Sequence, residues 1–329
     1  MPQPRVQLSQ VSSLGTALRR PECVLAARSG DLFVANLGNG LVHIRPDGTQ
    51  ARIGAIDHVD GQPWIPNGFC WTRDGSFLVA NMGPAGGLWR LGREGALSLV
   101  LSEVDGVRLG ATNFVMQDNR GRSWITITTR RWPISEAMAP LAGPYVEDGY
   151  LVLMDERGAR VVADGFAFAN EVRLDAAEEK LYVVETFGRR ISRFAVQPDG
   201  SLRDREIFTR FGHGTFADGA AFDAEGHLWV ASIISNRLIR IAPDGRQEVL
   251  LEENDPQHVA DIEKRLDERR IRREDVQHTP TRVLKNIASV TFGGPDLRTV
   301  YLGSLGGDTL AVFRSEVAGL APVHWNFKL

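Results

Sequence analysis

A phrase that recurs six times constrains this chain more than any other feature. It consists of a polar lead-in, a short strand, a tight turn containing Gly, and a second strand. The clearest copy runs from Ala217-Asp218-Gly219-Ala220-Ala221-Phe222 through Asp223-Ala224-Glu225-Gly226 to Leu228-Trp229-Val230-Ala231. Copies start near residues 21, 66, 112, 169, 217 and 288, and most spacings are about 45 to 57 residues. Short runs rich in Val, Ile, Phe, Trp and Tyr between such turns are strand and hairpin signals. One four-stranded unit cannot bury both its faces, so units of this length stack around an axis as propeller blades. The expected fold is therefore all-β, a six-bladed β-propeller, with residues 1–329 as a single domain. Val6–Val11 is expected to add an outer strand to the last blade and so close the ring.

Two insertions break the period. The first, near 129–148, reads as a loop over one face. The second, near 254–280, places Val259, Ile262, Leu266 and Ile271 at roughly helical spacing, which predicts an amphipathic helix between blades five and six. Its simplest place is the side of the ring, solvated on its outer face; a lid or a dimer contact is the alternative. The basic run Arg269-Arg270-Ile271-Arg272-Arg273 is balanced by Asp267, Glu268, Glu274 and Asp275. With a net charge of −3 as well, no nucleic-acid footprint is expected. No apolar run is long enough to predict a membrane span. Met1-Pro2-Gln3-Pro4-Arg5 lacks the charged-then-apolar layout of a signal peptide, so the expected location is cytoplasmic. Cys23 and Cys70 have no CxxC spacing and read as small buried thiols. The partner is expected to be a small molecule, and the protein a monomer or homodimer.

The residue just before each innermost strand should converge on one end of the axis. In order, that slot holds Glu22, Asn67, Asn113, Asn170, Asp218 and Ser289. Taken singly, Asn and Asp at such positions often serve only nearby backbone groups. Taken together they would crowd one spot with two carboxylates and two or three amide oxygens. That all-oxygen set suits a hard divalent cation such as Ca²⁺, Mg²⁺ or Mn²⁺. Without a cation, Glu22 and Asp218 would repel each other in a partly desolvated funnel.

The phrases Pro66-Asn67-Gly68, Ala169-Asn170-Glu171, the Asp218 copy and Phe292-Gly293-Gly294-Pro295-Asp296 resemble the senescence marker protein/gluconolactonase/luciferin-regenerating enzyme-like family. The resemblance covers about residues 20 to 315. It implies a six-bladed propeller with one axial divalent metal ion, many of whose members hydrolyse lactones. It implies Glu22, Asn170 and Asp218 as metal ligands, Asn113 as a contact to metal or substrate, and Asp218 as general base or nucleophile. Ca²⁺ is the first expectation, with Zn²⁺, Mn²⁺, Mg²⁺ or Fe²⁺ as alternatives. Two departures stand out. Sugar-lactone members often carry an Arg two residues before the blade-three Asn, where this chain has Ala111. They also tend to carry an acid after that blade's second strand, where Thr126, Thr128 and Thr129 stand.

The expected mouth is aromatic and apolar, with Trp64, Phe69, Met82, Trp132, Phe166, Phe168, Phe187 and Phe216 as candidates, about half of them blade core. The expected substrate is therefore a lactone or related cyclic ester less hydroxylated than gluconolactone. Asn113, Asn67, Trp64, Trp132, Phe187 and His213 are the expected substrate contacts. Three other readings stay open: a lyase or isomerase step on an aromatic metabolite, phosphotriester hydrolysis, and a binding propeller with a structural metal. No Gly-x-Ser-x-Gly, HExxH or GxGxxG motif is present, so serine-hydrolase, zincin and dinucleotide chemistry have no support.

Overall fold

The computed structural model describes residues 5–131, Met138 and residues 146–327. Six four-stranded antiparallel sheets form the blades of a propeller. Their innermost strands are Val24–Ala26, Pro66–Trp71, Thr112–Gln117, Ala169–Leu174, Thr215–Phe222 and Ile287–Gly293. From blade two round to blade one, each innermost strand packs on that of the next blade. Between blades one and two the contact runs through Leu32–Asn36. These strands are buried on both faces, which explains their nearly unbroken apolar runs.

The ring closes as expected, but with a different segment. The outer strand of blade six is Ser12–Leu14, paired antiparallel to Leu310–Arg314. The apolar side chains Val6, Leu8 and Val11 instead pack against the core between blades five and six.

Blades three and five share an internal clamp. Asp118 Oδ2 accepts from Trp124 Nε1 at 3.0 Å and Arg122 Nε at 2.6 Å; its Oδ1 accepts from the Arg120 and Arg122 amides. Asp223 repeats the pattern, with Oδ2 accepting from Trp229 Nε1 and Arg240 Nε, and Oδ1 from the Glu225 and His227 amides. Each carboxylate thus ties a turn to the strand that follows it.

The second insertion forms an α-helix over Pro256–Asp267. Asp255 caps it by accepting from the His258 amide, and Pro256 occupies the first turn, where no amide proton is needed. Ile271 lies beyond the helix, although it too is buried. Much of the first insertion, Trp132 included, falls outside the described residues. Among the described residues no helix is long and apolar enough to cross a membrane.

Removing the Asp223 carboxylate would leave Trp229 Nε1 buried without its acceptor and Arg240 with only Glu225 and His227 at the clamp's outer side. Asp223→Ala is expected to lower the unfolding free energy by about 3–5 kcal/mol in denaturant titration. The exposed turn acid Asp244, changed to Ala, should leave the unfolding midpoint close to that of the wild type.

Candidate active site at the axis

The slot residues reach the axis through β-bulges. Pairing between the first two strands is interrupted between Pro66 and Phe69, Thr112 and Phe114, Ala169 and Val172, and Ala217 and Ala220. Asn67, Asn113, Asn170 and Asp218 lie in these interruptions, released from the ladder and re-aimed by it. Gly219 follows Asp218 in its bulge because a Cβ there would stand 2.5 Å from the Ala288 carbonyl oxygen. In blade six the bulge holds Ala288. Ser289 is back in register opposite Gly303 and does not line the chamber. That slot contributes no polar group.

Glu22, Asn67, Asn113, Asn170 and Asp218 together form the floor of one chamber of about 60 Å³. The floor is cross-braced. Asn67 Nδ2 is shared between Glu22 Oε1 and Asn113 Oδ1, each at 3.1 Å, while its Oδ1 accepts from Arg20 Nη2 at 2.8 Å. Asn113 Nδ2 donates to Thr128 Oγ1, and Asn170 Nδ2 to Thr186 Oγ1, both at 3.0 Å. Thr128 and Thr126 donate in turn to the Ala169 and Asn170 carbonyls. Thr126 and Thr128 thus brace the ring, while Thr129 donates to Asp148. Ala111, where sugar-lactone members carry Arg, is fully buried in an apolar cluster.

These bonds turn the Asn113 and Asn170 amide NH₂ groups to Thr128 and Thr186, while Asn67 spends both its NH₂ and its oxygen on its floor neighbours and Arg20. Among the five floor residues, three carry a buried oxygen with no hydrogen-bond partner: Glu22 Oε2, Asn170 Oδ1 and Asp218 Oδ1. They belong to the three residues expected as metal ligands. Buried acceptors without donors cost about 1–3 kcal/mol each, more when charged, so the arrangement fits a bound cation. Asn113 Oδ1 is already engaged by Asn67 and keeps one lone pair free.

The electrostatics agree. Burial pushes the Glu22 carboxyl up to about 7; Arg20 opposes this and the Glu171 charge adds to it. Burial, with Glu22 and Glu171 behind it, raises Asp218 well above the ordinary carboxylate range. Glu171 was not expected here. Its Oε2 accepts from the Ala220 amide at 2.9 Å and from Arg173 Nη2 at 2.5 Å, tying the blade-four bulge to the blade-five bulge.

The walls and roof come from elsewhere. Met82, Met138, Phe168, Phe187, Ile233, Val276 and Leu305 line the chamber, with Arg20, Arg273 and Gln277 among them. Arg273, Val276 and Gln277 belong to the second insertion, so that segment covers the mouth instead of the ring's side. Its helix buries Val259, Ile262 and Leu266 in the cluster holding Phe187, Phe216 and Ile233. Glu263 anchors it, pairing with Arg189 and accepting from the Gly214 amide.

Phe187 stands where it was expected. Trp64 does not line the chamber; it is 1% exposed and packs edge-on to Trp89 in blade core. Phe69 and Phe166 are also core. His213 is exposed, with only its backbone carbonyl engaged, by Arg237. Trp132 lies outside the described residues. Arg20 and Arg273 gave no sequence signal: one precedes the first repeat and the other sits in a charge-balanced run.

Away from the chamber, and among the described residues, Asp223, Glu225 and His227 offer ligand atoms within 4.8 Å of one another. Arg240 already fills this group, donating to Asp223, Glu225 and His227 Nδ1.

The fold and axial chamber are those of a six-bladed propeller with an oxygen-lined centre. The chain belongs to the SMP-30/gluconolactonase/LRE-like family, whose profile matches residues 21–255. A 6-deoxy-6-sulfogluconolactonase from Pseudomonas putida is 30% identical over 47% of this chain and 45% of its own length. A pentonolactonase from Haloferax volcanii is 27% identical over 49% of this chain and 46% of its own. The chain therefore spans about half the length of the curated relatives it matches. In fold it is similar to a calcium-binding regucalcin from Agrobacterium tumefaciens, with a TM-score of 0.65, 17% identity, and 96% and 99% of the two chains covered.

Without a cation, Glu22 and Asp218 hold protons in the folded state that the unfolded chain releases at ordinary carboxylate pH. Stability is then fully present below that range and is lost as pH rises through about 7. The melting temperature of metal-free protein should fall between about pH 5 and pH 8. Added Ca²⁺ should raise it more at the higher pH, because protons no longer compete. A calcium shift equal at both pH values, or none, would contradict the assignment.

Proposed function

We propose that the protein is a divalent-metal-dependent hydrolase of a lactone or related cyclic ester, less hydroxylated than gluconolactone. The observation that carries this reading is the trio of unpartnered buried oxygens on Glu22, Asn170 and Asp218 at the floor of the axial chamber. The names borne by the two curated relatives support the reaction class. The oxygen-only donor set favours Ca²⁺, with Mn²⁺, Mg²⁺, Zn²⁺ or Fe²⁺ as alternatives.

Glu22, Asn170 and Asp218 would hold the ion, with Asn113 beside them. When bound, it supplies an electrophilic contact for the ester carbonyl and a counter-charge for the oxyanion. Asp218 takes the proton of the attacking water as the new C–O bond forms, then returns it to the ring oxygen as the ester bond breaks. Asn67 and Asn113 offer the substrate polar edges close to the reacting carbon. Phe187, Phe168, Met82 and Ile233 exclude water above it, and their apolar faces suit a ring with few hydroxyls. The chamber is small against the roughly 300–1,000 Å³ of usual ligand pockets, so admission requires the 254–280 cover to move outward. The protein would act in the cytoplasm on a small molecule, as a monomer or homodimer.

Asp218→Asn should cut turnover of a responsive lactone by at least about 100-fold, and chelation should abolish it until Ca²⁺ or Mn²⁺ is restored. A pH-indicator assay over sugar and aromatic lactones reads both. Near wild-type turnover in that variant would remove Asp218 from the chemistry, and full activity in chelator would remove the metal.

A further inference from the structure

The chamber holds two guanidinium groups that the hydrolytic step does not use. Arg20 and Arg273 both line it. Arg20 spends one nitrogen on Asn67, and its Nε is buried without a partner. Its backbone is left-handed, at φ 51, a strained conformation for a long side chain and one found at functional sites. The turn is held by the Glu22 amide donating to the Arg20 carbonyl at 2.8 Å. Arg273 makes no ion pair or side-chain hydrogen bond among the described residues. Its sequence neighbour Glu274 acts on it only through space. Burial lowers the Arg273 side chain to about 10, and the Arg20 charge pushes the same way, so the two cations feel each other.

Charge counting shows what is missing. Glu171 is matched by Arg173. Glu22 and Asp218 would be matched by one divalent ion. Arg20 and Arg273 then remain as two positive charges facing one enclosed space. Guanidinium forks with unused donors in a desolvated pocket are the usual recognition chemistry for oxyanions. The surrounding wall of Met82, Phe168, Phe187 and Leu305 offers no competing acid.

We propose that the ligand of this chamber carries an anionic oxyacid group, a carboxylate or a sulfonate, clasped between Arg20 and Arg273, in addition to the lactone carbonyl seated on the floor. The proposal takes its reactive end from the hydrolytic reading, and the surplus of the two arginine charges rests on the divalent ion of that reading, which is why the binding test uses Ca²⁺-loaded protein. Arg273 arrives on the covering segment, so an anionic ligand also draws that cover shut. This selects for lactones that carry an acidic group over neutral ones of equal ring size.

Two measurements separate the claims. Calorimetry on Ca²⁺-loaded protein compares an aldarate dianion and an ω-sulfonated aldonate with a plain aldonate of the same chain length. Both dianions, or one of them, should bind about 10- to 100-fold more tightly than the aldonate, the range for a charge-assisted hydrogen bond. The tighter of the two identifies the group. Arg273→Gln should erase that preference, and Arg273→Lys, which keeps the charge but loses the fork, should reduce it. Circular dichroism checks that each variant is folded. Equal affinity for all three ligands in the wild type, or an undiminished preference in both folded variants, overturns the clasp. Alongside, kcat/KM is compared for an aldarate lactone and its neutral counterpart. Turnover of both at equal efficiency, with no effect of Arg273→Gln on their ratio, overturns the clasp and leaves the hydrolase intact. A binding preference lost in Arg273→Gln, with no turnover of either lactone, overturns the hydrolase and leaves the clasp.

Discussion

Two carboxylates buried side by side cannot both stay ionised unless positive charge stands between them. Glu22 and Asp218 impose that condition on the centre of this molecule. Arg20 supplies part of the charge, yet Glu22 Oε2 and Asp218 Oδ1 remain without donors. The surrounding bonds explain why no protein group fills the gap. The Asn113 and Asn170 amides spend their NH₂ on Thr128 and Thr186, and Asn67 spends its own on Glu22 Oε1 and Asn113 Oδ1. No amide donor is left for Glu22 Oε2 or Asp218 Oδ1. A ring of blades makes this possible because it delivers one side chain per blade to a single point without any long loop.

The bulges link the fold to the chemistry. A regular ladder would turn alternate residues into the blade interfaces and leave the axis lined by whichever face the pleat presents. Interrupting the pairing at Asn67, Asn113, Asn170 and Asp218 frees those residues from both constraints. Cysteine, serine and metal-ligand motifs are read from local spacing. This site has none, since Glu22, Asn170 and Asp218 lie in blades one, four and five.

Much of this was legible in the sequence for one reason: the repeat is strict. The turn after each first strand sets the frame, so the residue before it is located even with no local motif. The method failed where the frame slips. In blade six Ala288, not Ser289, occupies the bulge, a one-residue difference that pattern alone does not resolve. The closing strand was placed a few residues early because Val6, Leu8 and Val11 look like strand residues but serve as a plug. Trp64 and His213 follow the same logic: lying near the mouth in sequence does not determine which way a side chain turns. Arg273 was hidden for a different reason. A balanced charge run reads as solvated surface, and only the packing of the helix shows that one of its arginines faces inward.

The most direct test is an anomalous difference map from crystals grown with Ca²⁺. The account predicts one peak on the axis within about 2.3–2.6 Å of Glu22 Oε2, Asn170 Oδ1 and Asp218 Oδ1. An empty axis, with protons or the Arg20 guanidinium taking up those oxygens, would contradict it.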